Sequence, residues 1–117
     1  MTDSASLFSR IIRNGHGAVA LEDTYLFTRQ LHVLQKAGVP LLSSLVALQT
    51  QLPSGRLKRI LGDVHQDLLE GKTFSQALAR HPKAFNPVFV GLIRVGEAGG
   101  LLEETLLQLT QLAEWEL

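Results

Sequence analysis

Val88–Leu112, VFVGLIRVGEAGGLLEETLLQLTQL, is the stretch that decides the fold. An almost wholly apolar segment is followed by residues 96–100, GEAGG, and then by a segment whose apolar residues recur at helical spacing. Adjacent glycines can take the positive φ that ends a helix, and without a Cβ they let two helices approach closely. Glu103 and Glu104 fall in the opening turn of the second segment, where unpaired N–H groups favour negative charge. The stretch therefore predicts a pair of helices joined at the glycines.

A similar pattern occurs sixty-one residues earlier in the chain. The aligned residues at that offset are Ala37-Gly38 with Ala98-Gly99, Leu31 with Leu92, Leu34 with Val95, Leu45 with Leu106, and Leu48 with Leu109. This register predicts that the same hairpin occurs twice. Convergence is the alternative explanation, because any two amphipathic hairpins with a glycine joint align at their apolar positions.

Local signals between and around these stretches predict the remaining helix ends. Apolar residues at helical spacing predict a first helix from about Asp23, a second with Pro40 in its first turn, and a third over Leu57–Leu68. Residues 73–76, TFSQ, have the form of a capping box that starts a short fourth helix, and Asn86-Pro87 suits the start of the fifth. The residues assigned to turns and helix ends are Gly38, Pro40, Gly71, Gly96, Gly99 and Gly100. The prediction is an all-α fold, a six-helix bundle built from antiparallel hairpins.

Apolar residues on the fifth helix surround nearly all of its sides. They are Val88, Phe89, Val90, Leu92, Ile93 and Val95. A helix that is apolar all round is buried or lies in an interface, so this helix is expected at the centre of the bundle or at a contact with another subunit.

Length, charge and the two chain ends define the expected domain organisation. With 117 residues and no cysteine, the chain is predicted to be one helical domain, residues 22–117, that buries a core without disulfides. Residues 1–21 read as a leader or linker, in which Leu7, Phe8, Ile11 and Ile12 share a helical face beside Arg10 and Arg13. That segment is expected either to pack on the domain, to remain a tail, or to lie on a membrane surface. Since Leu101–Leu117 has no stop signal, the chain is expected to be cut inside its last helix.

The sequence holds little that points to catalysis. Its four histidines form no helical metal-binding pair, and no phosphate-binding loop is present, so we expect neither an enzyme nor a resident cofactor. Glu97 lies near a helix C-terminus, where negative charge is disfavoured, so a partner contact or a divalent cation could explain it. Calcium needs six to eight oxygen ligands, so a cation at Glu97 would need ligands from a second chain or from water.

Charge indicates protein partners rather than nucleic acid. All eleven Lys and Arg lie at or before Arg94 with six acids, and five Glu follow, giving about +5 and then −5. Such polarity suits self-association or a charged protein partner, and the absence of a clustered basic helix argues against a helix-turn-helix nucleic-acid module. The residues predicted to bind partners are Glu97, Glu103 and Glu104 in one group and Arg56, Lys58 and Arg59 in another.

Four motifs in order along the chain carry a family resemblance. They are residues 27–31 FTRQL, 36–42 KAGVPLL, 70–78 EGKTFSQAL and 94–103 RVGEAGGLLE. Together they resemble the cytoplasmic domain of the type II secretion system protein F family, which includes the type IV pilus platform proteins called PilC. The resemblance implies the first of two such domains in a non-enzymatic platform protein at the cytoplasmic face of the bacterial inner membrane.

The same resemblance implies partners and a continuation of the chain. The expected partners are the cytoplasmic assembly ATPase, other inner-membrane machinery subunits, pilin-like proteins and a second copy in a homodimer. A membrane helix is expected after Leu117. The alternative reading is a soluble helical adaptor, a protein-interaction domain unconnected to a membrane.

Overall fold

Six α-helices make up the part of the chain that the structure, a computed structural model, describes, which is residues 21–114. They are α1 (Leu21–Lys36), α2 (Leu41–Gln51), α3 (Arg56–Leu69), α4 (Phe74–Ala79), α5 (Pro87–Ala98) and α6 (Leu102–Glu114). No strand occurs within that range, so the predicted all-α, six-helix fold is confirmed. Most of the predicted leader, residues 1–20, lies outside the described residues.

The six helices form a closed ring. Each helix packs against its neighbours along the chain, and α1 packs against α6. Apolar side chains from all six helices fill the centre. The fully buried large ones are Leu31, Leu45, Leu61, Val64, Leu78, Phe85, Phe89, Ile93, Leu106 and Leu109. No helix among the described residues is both long enough and apolar enough to cross a membrane.

Local caps start the short helix α4 and the helix α5, as the sequence predicts. Thr73 Oγ1 accepts a hydrogen bond from Gln76 N at 3.1 Å, and Gln76 Oε1 accepts one from Thr73 N at 2.9 Å. Asn86 Oδ1 accepts from Phe89 N at 3.0 Å, with Pro87 as the first residue of α5. Each bond satisfies an N–H that the helix itself leaves unpaired.

Pro40 lies one residue earlier than predicted. The sequence places it in the first turn of α2, but that helix begins at Leu41. Pro40 has the extended ψ of 148°, and its carbonyl accepts the first helical hydrogen bond, from Ser44 N at 2.9 Å. A residue in this half-helical position needs no backbone N–H, which is why proline is tolerated there.

Helix α5 is not at the centre of the bundle. It buries Phe89 and Ile93, but Val88, Leu92 and Val95 are 53%, 39% and 72% exposed. The central placement is therefore wrong for α5. The ring covers only one side of each helix, so an apolar face of α5 remains in contact with solvent.

The internal repeat is present, but its register differs from the predicted one in the first helix. We name α1–α2 hairpin A and α5–α6 hairpin B. Leu31 is fully buried, whereas Leu92, its partner at the sixty-one-residue offset, is 39% exposed. The matching buried residues are Phe27 with Phe89 and Leu31 with Ile93, at an offset of sixty-two, and then Leu45 with Leu106 and Leu48 with Leu109, at sixty-one. The turn of hairpin A has four residues, 37–40, and that of hairpin B three, 99–101, which accounts for the one-residue change.

An ion-pair network connects α3 to the end of α4. Asp67 is buried, and Arg80 Nη1 donates to both of its carboxylate oxygens, at 2.5 and 2.6 Å. Lys72 Nζ lies 3.6 Å from Asp67 Oδ1. Burial opposes ionisation of Asp67, but the hydrogen bond and charge of Arg80 and the charge of Lys72 outweigh it and hold its pKa below the usual value. Asp67 continues the buried row of Ile60 and Val64 on α3, so this network lies on the core side of the helix.

Candidate partner-binding surface

The turn between α5 and α6 determines the geometry of the predicted partner site. Gly100 has a φ of +73° and donates its N–H to Glu97 O at 3.3 Å, while Leu101 N donates to Gly96 O at 2.7 Å. Of the two adjacent glycines only Gly100 takes a positive φ, since Gly99 has a φ of −91°. A positive φ strains residues that carry a Cβ, so Gly100 is the residue that ends α5 and reverses the chain.

Gly96 allows the two helices of hairpin B to touch. A Cβ at this position would overlap the Thr105 hydroxyl and lie 3.3 Å from Leu101 O. The absence of a side chain therefore sets the close approach of α5 to α6, and through it the position of the neighbouring residue, Glu97.

The carboxylate of Glu97 crosses to helix α4. Its Oε2 accepts a hydrogen bond from Ser75 N at 3.2 Å, and its Oε1 accepts one from Ser75 Oγ. Ser75 lies in the first turn of α4, where the backbone N–H has no partner within its own helix. Glu97 is disfavoured at the C-terminus of α5 but favoured at the N-terminus of α4, and this explains why a negative charge is tolerated at this turn.

A solvent-open groove lies beside Glu97. It has a volume of about 570 Å³ and is bordered by the start of α2, the start of α4 and the α5–α6 turn. Leu41, Phe74 and Leu102 contribute apolar surface, and Arg94 and Glu97 contribute charge. Apolar walls with a few oriented polar groups are typical of binding sites, so this groove is a candidate binding surface beside the predicted residues.

The two acids that open α6 face different surroundings. Glu103 Oε2 lies 3.9 Å from Nε2 of His32 on α1, and that buried nitrogen makes no hydrogen bond to the described residues. Glu104 is exposed. Both lie in the first turn of α6, as predicted, but only Glu104 presents its charge wholly to solvent.

The basic residues of α3 also divide into two kinds. Lys58 Nζ donates hydrogen bonds to Gln49 O at 3.1 Å and Leu52 O at 3.0 Å, which caps the C-terminus of α2. Arg56 and Arg59 are exposed. Because positive charge in the first turn of a helix opposes the helix dipole, stability does not explain the two arginines, and they remain the better candidates for a partner.

The acidic and basic groups are not joined to each other. No ion pair within residues 22–112 connects Arg56, Lys58 or Arg59 to the three predicted glutamates. The structure therefore offers two separate charged surfaces, one on α3 and one at the α5–α6 turn. Partner binding by either surface stays a prediction.

A metal site at Glu97 also stays a prediction. Among the side chains that the structure describes, no three of His, Cys, Asp or Glu come together in a way that could hold a metal ion. Both oxygens of Glu97 already accept hydrogen bonds from Ser75. A calcium or other divalent cation at Glu97 would thus take ligands from a second chain or from water, and would compete with Ser75.

Sequence reasoning missed Ser75 and His32 as parts of this region. Ser75 is twenty-two residues from Glu97 in the sequence. It also belongs to the capping motif at residues 73–76, so the sequence gives no reason to expect a distant partner for it. His32 lies on the opposite hairpin from Glu103. Neither pairing has a local sequence signal, because both depend on how separate helices pack against one another.

Comparisons with known proteins address the family resemblance. Residues 27–116, most of the chain, match the family model described as type II secretion system (T2SS), protein F. The chain belongs to this protein F family. The resemblance carried by the four sequence motifs is confirmed.

Relatives of this protein F-family chain come from two kinds of machine. It is 36% identical over 100 residues to the type IV pilus assembly protein PilC of Myxococcus xanthus, covering 86% of this chain and 24% of the relative. Identity to the type IV pilus assembly protein PilC of Thermus thermophilus is 38% over 97 residues, covering 83% of this chain and 24% of the relative. Identity to the type II secretion system protein F of Vibrio cholerae is 33% over 96 residues, covering 82% and 24%. The chain thus spans about a quarter of the length of these relatives.

Proposed function

We propose that this chain is a non-catalytic cytoplasmic domain of an inner-membrane platform protein for type IV pilus assembly or type II secretion. The observation that carries the proposal is the family match over residues 27–116. The names of the relatives, pilus assembly protein and secretion system protein, support the two machines in which the domain would act. In this role the domain contributes surfaces that hold other subunits in place.

The assembly ATPase is the proposed partner of the charged surfaces. The α5–α6 turn offers a groove bordered by Arg94 and Glu97, with exposed Glu104 on the adjoining helix. Arg56 and Arg59 form the second surface. Charged surfaces of this kind contribute mainly to association rate and specificity, which suits subunits that meet repeatedly during assembly. Other machinery subunits, pilin-like proteins and a second copy in a homodimer are the further proposed partners.

Charge reversal in the full-length protein tests ATPase docking. Glu104→Lys changes an exposed charge on α6, and the pair Arg56→Glu with Arg59→Glu changes α3, while Lys83→Glu in an exposed loop is the matched control. We expect Glu104→Lys to reduce capture of the assembly ATPase about tenfold, roughly 1.4 kcal/mol, with an unchanged helical CD spectrum and no effect of Lys83→Glu. Equal capture by all variants would remove both surfaces from the ATPase interface.

Deletion of the gene tests the wider role. We expect a strain without it to lose surface pili or type II secretion, and the wild-type gene to restore the lost process. A deletion strain with normal pili and normal secretion would contradict the proposal. A soluble adaptor unconnected to a membrane would then be the better interpretation.

A further inference from the structure

The groove beside Glu97 has an apolar floor and charged side chains at its border. Phe74 is buried, and Leu41 and Leu102 are half-buried against the core, so the floor is an edge of the hydrophobic core. The volume of about 570 Å³ lies within the usual range of roughly 300–1,000 Å³ for ligand sites. A cavity of this size accepts a few side chains of a peptide and is too small for a folded domain.

The negative charge of Glu97 is already used within the protein. Each of its carboxylate oxygens accepts a hydrogen bond from Ser75, one from the backbone N–H and the other from the hydroxyl. A basic group of a partner would have to compete with both bonds in order to pair with Glu97. Hydrogen bonds to an ionised acceptor are roughly twice as strong as neutral ones, so we expect Glu97 to stay bound to Ser75 when the groove is occupied.

The positive charge of Arg94 has no such use. Arg94 is exposed and forms neither an ion pair nor a hydrogen bond with the residues that the structure describes. Glu97 lies three residues further along α5, but its carboxylate contacts α4 instead. An arginine side chain can bind a carboxylate through two parallel hydrogen bonds. The charge that the groove offers to a partner is therefore positive, although the sequence points to acidic residues at this turn.

The neutral polar groups of the groove also leave donors free. Gln76 Oε1 accepts from Thr73 N, and Thr73 Oγ1 accepts from Gln76 N, so the capping box occupies these two acceptors. The side-chain amide N–H groups of Gln76 are exposed and have no partner among the described residues. An ionised carboxylate only accepts hydrogen bonds, whereas a lysine or arginine side chain only donates them. The free groups of the groove thus match a carboxylate.

We propose that this groove binds an acidic, apolar peptide segment of a partner protein, with its large apolar side chain on the floor and its Asp or Glu carboxylate on Arg94. Arg94 and Ala98, which both border the groove, lie one turn apart on α5, about 6 Å along the helix axis. In the segment the two groups are therefore separated by about one helical turn or by about two residues of extended chain. The inference rests on the proposed function for the source of the segment, a subunit of the machine, and not for its chemistry.

Selection from a phage library of random twelve-residue peptides on the 117-residue chain tests this chemistry. Peptides enriched on the wild type should carry Asp or Glu close to a large apolar residue. We expect Arg94→Glu to enrich peptides with Lys or Arg at that place instead. The matched control, Arg59→Glu, changes an exposed arginine on α3 and should select the same acidic peptides as the wild type. No enrichment on the wild type, or enrichment without a shared acid, would overturn the proposal.

Fluorescence anisotropy with the most enriched peptide measures the size of the effect. Arg94→Gln should weaken binding at least tenfold, and so should replacement of the acid of the peptide by its amide. The two changes together should weaken binding no further, because each removes the same contact. Arg59→Gln should leave the affinity within about twofold of the wild type. Fully additive losses would place the acid of the peptide away from Arg94 and would contradict the proposed contact.

A bulky side chain in the groove tests the apolar part of the site. Ala98 is exposed and borders the groove, so Ala98→Trp should occupy it without disturbing the core. We expect peptide binding at least tenfold weaker than that of the wild type, with an unchanged helical CD spectrum. Ala79→Trp, at the exposed end of α4, is the matched control and should bind like the wild type. Unchanged binding by Ala98→Trp would place the peptide outside the groove.

An anionic lipid is the other source of acceptor groups beside apolar chains. Phosphatidylglycerol vesicles with the wild type and Arg94→Gln provide that arm, and we expect no vesicle binding that depends on Arg94. Vesicle binding that Arg94→Gln abolishes, together with no enriched peptide, would assign the groove to a lipid surface. None of these assays contains another machinery subunit, so their failure would leave the platform role standing. Normal pili and secretion in the deletion strain would instead contradict the platform role alone.

Discussion

Hairpins A and B have the same interior but close their turns in different ways. Each turn has a glycine at positive φ, Gly38 at +85° in hairpin A and Gly100 at +73° in hairpin B. The N–H of Gly38 donates to Gln35 O at 3.0 Å, and the N–H of Gly100 donates to Glu97 O at 3.3 Å. The side chains at those two acceptor positions then differ. Gln35 Nε2 donates to Val39 O, the turn of its own hairpin, at 3.0 Å. The side chain of Glu97 has no N–H to donate, and its carboxylate accepts hydrogen bonds from Ser75 on α4 instead.

This difference shows that an amide and a carboxylate at equivalent positions contact different parts of the fold. An amide can donate to the carbonyls that a helix end leaves free, whereas a carboxylate can only accept and is favoured at the start of another helix. Hairpin A is therefore closed locally. Hairpin B is instead held by a contact from α5 to the neighbouring helix α4, next to the groove that we propose as a partner site.

The largest expected effect tests whether the hairpins share one core. Phe85 lies between the two repeat-related phenylalanines, with ring centroids 5.9 Å from Phe27 and 5.3 Å from Phe89. Phe85→Ala should lower the free energy of unfolding by about 3–5 kcal/mol, because it removes a fully buried ring that both hairpins contact. Urea denaturation measures the loss. A loss below about 1 kcal/mol would show that the hairpins do not depend on this joint core.

The next effect concerns the close approach in hairpin B. Gly96→Ala should destabilise the domain by about 1–3 kcal/mol, because the new Cβ would overlap Thr105. Gly91→Ala is the matched control on the same helix, where a Cβ meets nothing within 4 Å, and it should stabilise by about 0.5–1 kcal/mol. Thermal unfolding of both variants gives the sign of each change. Equal shifts would mean that α5 and α6 can separate without cost.

Exchanging the two turn side chains tests the difference between the hairpins directly. Glu97→Gln should cost about 1–2 kcal/mol, because Ser75 loses a charged acceptor, and Gln35→Glu about 1 kcal/mol, because Val39 O loses its donor. A double-mutant cycle of Glu97→Gln with Ser75→Ala isolates the side-chain contact between α5 and α4. Additive effects in that cycle would show that the two side chains do not interact in solution.

The smallest effect lies in the connection between the hairpins and depends on pH. Burial lowers the pKa of His81, and the nearby charge of Arg80 lowers it further. The charges of Asp63, which has an oxygen 4.0 Å from Nε2 of His81, and of Asp67 raise the pKa but only partly offset the burial. The unfolded chain then binds the proton more readily, so His81 adds stability above pH ~6.5 that is lost as pH falls through the folded pKa. We expect His81→Gln to lose less stability than the wild type between pH ~7 and ~5. Denaturation curves at both pH values measure this, and parallel losses would refute it. Asp67, whose folded pKa is lowered, stabilises the fold above pH ~3.9 and loses that contribution only as the pH falls further, outside the range of this test.

Much of the fold was predictable because helix boundaries are local. The Thr73–Gln76 capping box and Asn86-Pro87 are read from adjacent residues, and both act in the structure as predicted. The register of the repeat was not predictable to one residue, since an alignment of apolar positions cannot detect a turn that is one residue shorter. The candidate site was predictable in part. Its turn and acids were visible, but the contact of Glu97 with Ser75 and the capping role of Lys58 were not.

By itself the sequence determined the six helices, their caps, the two glycine turns and membership of the protein F family. These features depend on neighbouring residues or on ordered motifs, which a linear chain displays directly. Only the tertiary structure decided that α1 closes the ring against α6, that Asp67 is buried and that Glu97 serves a helix other than its own. Such contacts depend on how separate helices pack against one another, and the spacing of residues within one helix does not specify them.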